Sequence, residues 1–159
     1  MKSPRWYSRL RQSEDGTAVI EAAVVVPVLI IIMVGLADFG RAYATLSAAQ
    51  KSLRGATRYL ATLPPAAVCD WGLTKARNLA VYGRTDPPTG SVPLVAGWSV
   101  GSITLRLPPG ASPPDCSGTS LGRIELSAQV PYSALIWQVA GLPDTLTMTT
   151  SHEERWIGE

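Results

Sequence analysis

An apolar run near the amino terminus constrains this chain more than any other feature. Residues 17–37 form a run of 21 residues with one charged side chain, Glu21. A helix rising about 1.5 Å per residue would give this run a length of roughly 30 Å, the thickness of a bilayer's hydrocarbon core. The run therefore predicts a transmembrane helix. An ionised carboxylate inside such a span is costly unless it is paired, so Glu21 predicts a positively charged partner.

The residues before the run form a short basic leader, residues 1–16. It carries four cations and two carboxylates, a net charge of +2 that equals the formal charge of the whole chain: Lys2, Arg5, Arg9, Arg11, Glu14 and Asp15. The remaining chain is therefore neutral, and a neutral chain has no whole-domain attraction for nucleic acid. Basic residues beside a span tend to stay in the cytoplasm, which predicts a cytoplasmic amino terminus.

A partner for Glu21 would arise if the chain were cut between Gly16 and Thr17. The new α-amino group at Thr17 would lie four residues before Glu21, so the two charges could meet on one helical face or between neighbouring chains. In the alternative interpretation, Glu21 lies at the membrane boundary and extends its carboxylate into the cytoplasmic headgroups.

The sequence around the run resembles a known family. A basic leader ending in Gly16, Glu21 at the fifth position after it and the apolar helix are similar to the processing site of type IV pilin-like proteins. The continuation Val-Gly-Leu-Ala-Asp-Phe-Gly-Arg-Ala, residues 34–42, resembles the TadE family of pseudopilins from tight-adherence (Flp, type IVb) pilus systems. The resemblance is strong over residues 13–60.

This resemblance implies a structural protein of the bacterial inner membrane that helps to assemble a thin adhesive pilus. It implies that a prepilin peptidase cuts after Gly16 and that Glu21 helps to dock subunits in register. The implied partners are other pseudopilins and the pilus-assembly platform proteins.

The helical pattern continues beyond the apolar run, which predicts one helix from Ala18 to about Thr62. Pro64 and Pro65 would end it, because proline lacks the backbone donor and restricts the residue before it. Two series of residues recur every seven positions and predict a stripe that packs on this chain's own domain or on a partner helix: Phe39, Leu46, Leu53 and Leu60, and Ala42, Ala49 and Ala56.

The rest of the chain predicts a small α+β domain. Residues 66–82 have a helical pattern that ends at Gly83. Alternating apolar and polar residues predict strands over residues 98–107, 122–132 and 142–152. We expect an antiparallel sheet of about three or four strands covered on one face by the long helix. The predicted divisions are the leader, a span, a helix continuation and a periplasmic domain: residues 1–16, 17–37, 38–63 and 64–159.

The two cysteines allow one disulfide. With the amino terminus in the cytoplasm, Cys69 and Cys116 lie in an oxidising compartment, where they could pair. The bridge would close a loop of about 48 residues and stabilise the fold by ~4 kcal/mol on the chain-entropy estimate. Two separate buried thiols are the alternative.

The sequence has no recognisable active site. Its single histidine, His152, precedes two glutamates near a predicted strand end, a pattern more typical of a solvated surface than of a metal site. Phosphate-loop, nucleophile-elbow and zinc-protease motifs are absent. We therefore expect no enzyme, cofactor, metal or small-molecule substrate. The alternative function is a periplasmic binding module, either anchored by the apolar run or released by a signal-peptidase cut after Ala37.

Overall fold

The computed structural model describes residues 15–107, 122–134 and 145–158. The chain divides into two compact units, Met1–Phe39 and Gly40–Glu159. Most of the predicted leader lies outside the described residues, as does the proline-rich connection that contains Cys116. Each unit is considered by itself below.

The first helix, α1, runs from Asp15 to Ala61 and has 47 residues. The prediction of a helix from Ala18 to about Thr62 is therefore correct to within three residues. The N–H of Leu63 donates to the carbonyl of Leu60 at 3.1 Å, so the helix tightens into a turn as it ends. Pro64 then adopts an extended backbone, with φ −62° and ψ 151°, and prevents continuation.

The second helical region is interrupted, whereas the sequence predicts one helix over residues 66–82. The structure has a short helix α2, a π-helical turn and a helix α3: Pro65–Ala67, Val68–Gly72 and Leu73–Tyr82. The backbone of Asp70 is not helical, with φ −94° and ψ −111°, so the chain kinks there. The helical spacing of apolar residues gave no sign of this break. Gly83 ends α3 as predicted, in the left-handed conformation with φ 71°.

The strands form one antiparallel sheet in the order β1-β2-β3. Their bounds are Ile103–Arg106, Arg123–Ser133 and Thr145–Arg155. Leu126 of the central strand lies opposite Leu105 on one side and His152 on the other. A long amino-terminal helix followed by a small three-stranded sheet confirms the predicted α+β class.

Two strands differ in extent from their predictions. The first begins at Ile103, not at residue 98, because residues 100–102 form a 3₁₀ turn. The Ser102 hydroxyl donates to the carbonyl of Ser99 at 2.8 Å, and such a local bond competes with strand pairing. The third strand extends to Arg155, where it pairs with Arg123. Its predicted start, residues 142–144, lies outside the described residues.

The core of the second unit lies between helices and one face of the sheet. Four of the five inward side chains of β2 have no exposed surface, namely Ile124, Leu126, Ala128 and Val130, and the fifth, Tyr132, is also buried. The first four belong to one hydrophobic cluster with residues of α1 and α3, among them Ala49, Leu53, Ala56, Leu60, Ala76 and Ala80. Within this unit the seven-residue stripe therefore packs on the chain's own domain. The opposite face of β2 alternates with the core positions and carries polar side chains.

A segment after the last strand, Trp156–Gly158, contacts the end of α1. The indole N–H of Trp156 donates to the carbonyl of Leu63 at 2.9 Å, and the N–H of Ile157 donates to the carbonyl of Ala61 at 2.9 Å. The carbonyls at the end of a helix have no partner within the helix itself. The 156–158 segment supplies partners for two carbonyls at this end.

Candidate functional site

The amino-terminal part of α1 exposes a large apolar surface. Twelve large apolar side chains between residues 19 and 36 are each 46–69% exposed: Val19, Ile20, Val24, Val25, Val26, Val28, Leu29, Ile30, Ile31, Ile32, Met33 and Leu36. In the part of the chain that the structure describes, one helix is long and apolar enough to cross a membrane, with a mean hydropathy of 2.8. Exposed apolar surface of this extent marks contact with lipid or protein. The helix is therefore a candidate single-pass anchor.

The predicted processing and docking residues lie in the first turns of α1. Gly16, Thr17 and Glu21 are all exposed, and a side chain added at Gly16 would meet no atom within 4 Å. Thr17 and Glu21 are one helical turn apart and share a face. Glu21 forms no ion pair with any residue in the described ranges. Cleavage after Gly16 and docking through Glu21 stay predictions.

The predicted disulfide involves one residue inside and one outside the described ranges. Cys69 is half-buried in the π-helical turn between α2 and α3, and it packs against the hydrophobic core. Cys116 lies outside the described residues. The pairing of Cys69 with Cys116 therefore stays a prediction.

The carboxylates and the imidazole of the second unit form surface pairs. His152 Nε2 lies 3.3 Å from Glu154 Oε2, and Arg123 forms an ion pair with Glu153. The described residues contain no group of three or more His, Cys, Asp and Glu side chains that could hold a metal ion. Two open grooves of about 280 and 210 Å³ are lined by serine, threonine, proline, tyrosine and amide side chains, without carboxylate, imidazole or thiol.

Two groups of interactions were not predicted from the sequence. One is the 156–158 segment, whose signal is the apolar pair Trp156 and Ile157 directly after a polar strand. The other is on the surface of α3, where the Lys75 ammonium lies 5.2 Å from the ring centre of Trp71 and 3.6 Å from an Asp86 oxygen. The first group ties the end of the chain to the end of α1, whereas the exposed Lys75 pair contributes little to stability.

Comparison with known proteins gives one match. The family model described as TadE-like protein matches residues 16–58. No curated protein and no solved structure matches the chain. The matched segment begins at the predicted cleavage residue, Gly16, and contains Glu21 and all of the exposed apolar surface of α1. Over residues 16–58 the chain therefore matches the TadE-like family, which confirms the predicted resemblance.

Proposed function

We propose that this protein is a TadE-like minor pseudopilin, a membrane-anchored structural component that helps to assemble a tight-adherence pilus. The observation that carries the proposal is the family match, which begins at Gly16 and extends along an exposed apolar helix. The family is one of structural pilus components, so the role is assembly rather than catalysis. Cleavage, membrane topology and partners are proposed below from the resemblance to this family.

In this proposal a prepilin peptidase removes residues 1–16 and leaves an α-amino group on Thr17. The amine and the Glu21 carboxylate then pair, within one helix or between neighbouring subunits. The low dielectric of the bilayer makes an unpaired charge costly, so subunits settle in the register that pairs it. The apolar side chains provide the remaining association by close packing, since lipid tails give no hydrophobic drive between helices.

The proposed location is the bacterial inner membrane, with a cytoplasmic amino terminus and the second unit in the periplasm or outside the cell. This orientation follows the basic leader, since positive residues beside a span stay in the cytoplasm. The proposed partners are the prepilin peptidase, other pseudopilins and the proteins of the assembly platform.

Replacement of the carboxylate tests the docking role. In a strain that lacks the native gene, Glu21→Ala should be cleaved normally but should restore few pili. Loss of one member of a buried ion pair costs about 3–5 kcal/mol, which corresponds to a fall of more than about a hundredfold in the equilibrium constant for docking. The measurement is the amount of sheared surface pili, together with the mass of the processed protein.

Two matched variants separate charge from shape. Glu21→Gln keeps the shape and removes the charge, so it should be as defective as Glu21→Ala. Thr104→Ala changes an exposed residue outside α1 and should assemble normally. Normal piliation with both Glu21 variants would contradict the docking role, and normal piliation in the strain lacking the gene would contradict the proposed function itself.

A further inference from the structure

The part of α1 in the second unit has an outward face opposite its core face. Its residues are spaced by three, four or seven positions, which places them along one side of a helix. All eight are exposed: Gly40, Ala44, Ala48, Lys51, Arg54, Gly55, Arg58 and Thr62. We call this surface the basic face. The domain's own core uses the other side of the helix, at Ala49, Leu53, Ala56 and Leu60.

The charge of the basic face has one sign. Between Phe39 and Thr62 the sequence contains four basic residues and no acidic one. Lys51, Arg54 and Arg58 form no ion pair with any carboxylate in the described ranges. Three cations within about two turns make a local positive field that complements a surface rich in carboxylates.

Gly55 lies between these cations and packs against no other side chain in the described part of the chain. A side chain added there would meet no atom within 4 Å, and the position is inside a regular helix. Glycine weakens a helix interior relative to alanine. Its advantage at an exposed position is that another backbone can approach closely, as small residues permit at helix interfaces. Ala44 and Ala48, which also have small side chains, extend this surface along the helix.

We propose that the basic face docks a different protein chain, one that presents carboxylates along a closely approaching segment. Lys51, Arg54 and Arg58 supply the charge, and Gly55 with the neighbouring alanines allows close packing. Charge favours a different chain as the occupant over a symmetric contact with a second copy, which would oppose the same cations. The proposal rests on the proposed function, in which this protein assembles with other subunits.

Site-specific photocrosslinking in native membranes tests the proposal. A benzophenone side chain at Gln50, exposed beside the basic face of the full-length protein, should crosslink to a chain of different identity through a peptide that contains Asp or Glu. A probe at Thr104, exposed on the outer face of the sheet, is the control for position. The crosslink at Gln50 should weaken as NaCl rises from about 50 mM to about 500 mM, because salt screens exposed charges.

Matched variants test charge and close approach separately. The triple variant Lys51→Glu, Arg54→Glu and Arg58→Glu should reduce the crosslink at least about tenfold. A tenfold change corresponds to about 1.4 kcal/mol, and close charge pairs at interfaces have coupling energies above that value. Arg54→Glu alone should weaken the crosslink. Arg84→Glu, which reverses an exposed charge elsewhere, should leave it unchanged. Gly55→Leu should also reduce it by blocking close approach, and the second unit should still fold, because no described atom lies within 4 Å of a Cβ added at this exposed position.

Three outcomes would overturn the proposal: an unchanged crosslink in the triple variant, a crosslink to a second copy of this chain, or a crosslink to anionic lipid. Failure of the docking surface can be distinguished from failure of the proposed function. If loss of the gene leaves piliation normal while the crosslink depends on charge, the pilus role fails and the docking surface stands. If loss of the gene abolishes pili but the triple variant restores them with its crosslink intact, the docking surface fails and the pilus role stands.

Discussion

Gly158 shows how one residue without a side chain joins two distant parts of the second unit. It is buried, and a Cβ atom built there would overlap the carbonyl oxygen of Leu63. The same carbonyl accepts the indole hydrogen bond from Trp156. Any larger residue must push the 156–158 segment away from the end of α1.

We therefore expect Gly158→Ala to lower the free energy of unfolding by about 1–3 kcal/mol, the usual cost of overpacking. The measurement is urea unfolding of the full-length protein in detergent, followed by tryptophan fluorescence. Gly101→Ala is the matched control, because nothing lies within 4 Å of its added Cβ and it should change stability little. Equal unfolding midpoints for the two variants would contradict the role of Gly158.

The role of a single residue could be predicted only where it depends on residues close to it in the sequence. Gly83 could be predicted because a helix end favours a residue that adopts positive φ. The contact between Trp156 and Leu63 joins residues 93 positions apart, so no short-range pattern encodes it. Glu21 lies between these two cases. The energetic cost of its charge in a membrane span can be predicted from the sequence, but its proposed partner depends on cleavage or on another chain.

At the scale of elements, α1 is the feature that sequence reasoning predicted best. Its length, its apolar first half and its end before Pro64 all follow from composition and proline chemistry. The kink at Asp70 was missed because the apolar residues at helical spacing all follow it, between Leu73 and Tyr82. The late start of β1 was missed because residues 100–102 form a 3₁₀ turn inside a segment whose composition resembles a strand. The alternation of β2 predicts Ile124, Leu126, Ala128 and Val130 on its inward face, since a strand has a period of two, and the structure buries these four and also Tyr132.

The packing of α1 on the sheet should carry much of the stability of the second unit. Leu53 has no exposed surface and lies in the core cluster, so Leu53→Ala should lower the free energy of unfolding by about 2–5 kcal/mol. Leu94 is 54% exposed, and Leu94→Ala should cost no more than about 0.5 kcal/mol. Thermal unfolding of the two full-length variants in the same detergent measures the difference. A comparable loss in both would mean that Leu53 does not anchor the helix to the sheet.

For the whole molecule, the family match and the apolar helix together favour a membrane-anchored subunit with a folded second unit. The proposed cleavage and disulfide pairing would depend on the compartment and on enzymes that act on the chain, so side-chain packing does not encode them.

Intact mass of the protein from native membranes, with and without thiol alkylation, tests these properties together. We expect a chain that starts at Thr17 and in which Cys69 and Cys116 react with the alkylating agent only after reduction. The reduced sample, which should gain two alkyl groups, is the control for access. A start at Asp38 in the soluble fraction would instead mean a released domain, and a start at Met1 would mean an anchor that is not processed.

The hydrogen bond between Trp156 and Leu63 also sets an order of events during synthesis. Leu63 and Trp156 are 93 positions apart, so this bond can form only after the chain has been translated as far as Trp156. The apolar run, residues 17–37, has left the ribosome by then. In the proposed anchored subunit, membrane insertion of that run can therefore precede folding of the second unit, and each new subunit would be tethered while its core is still open.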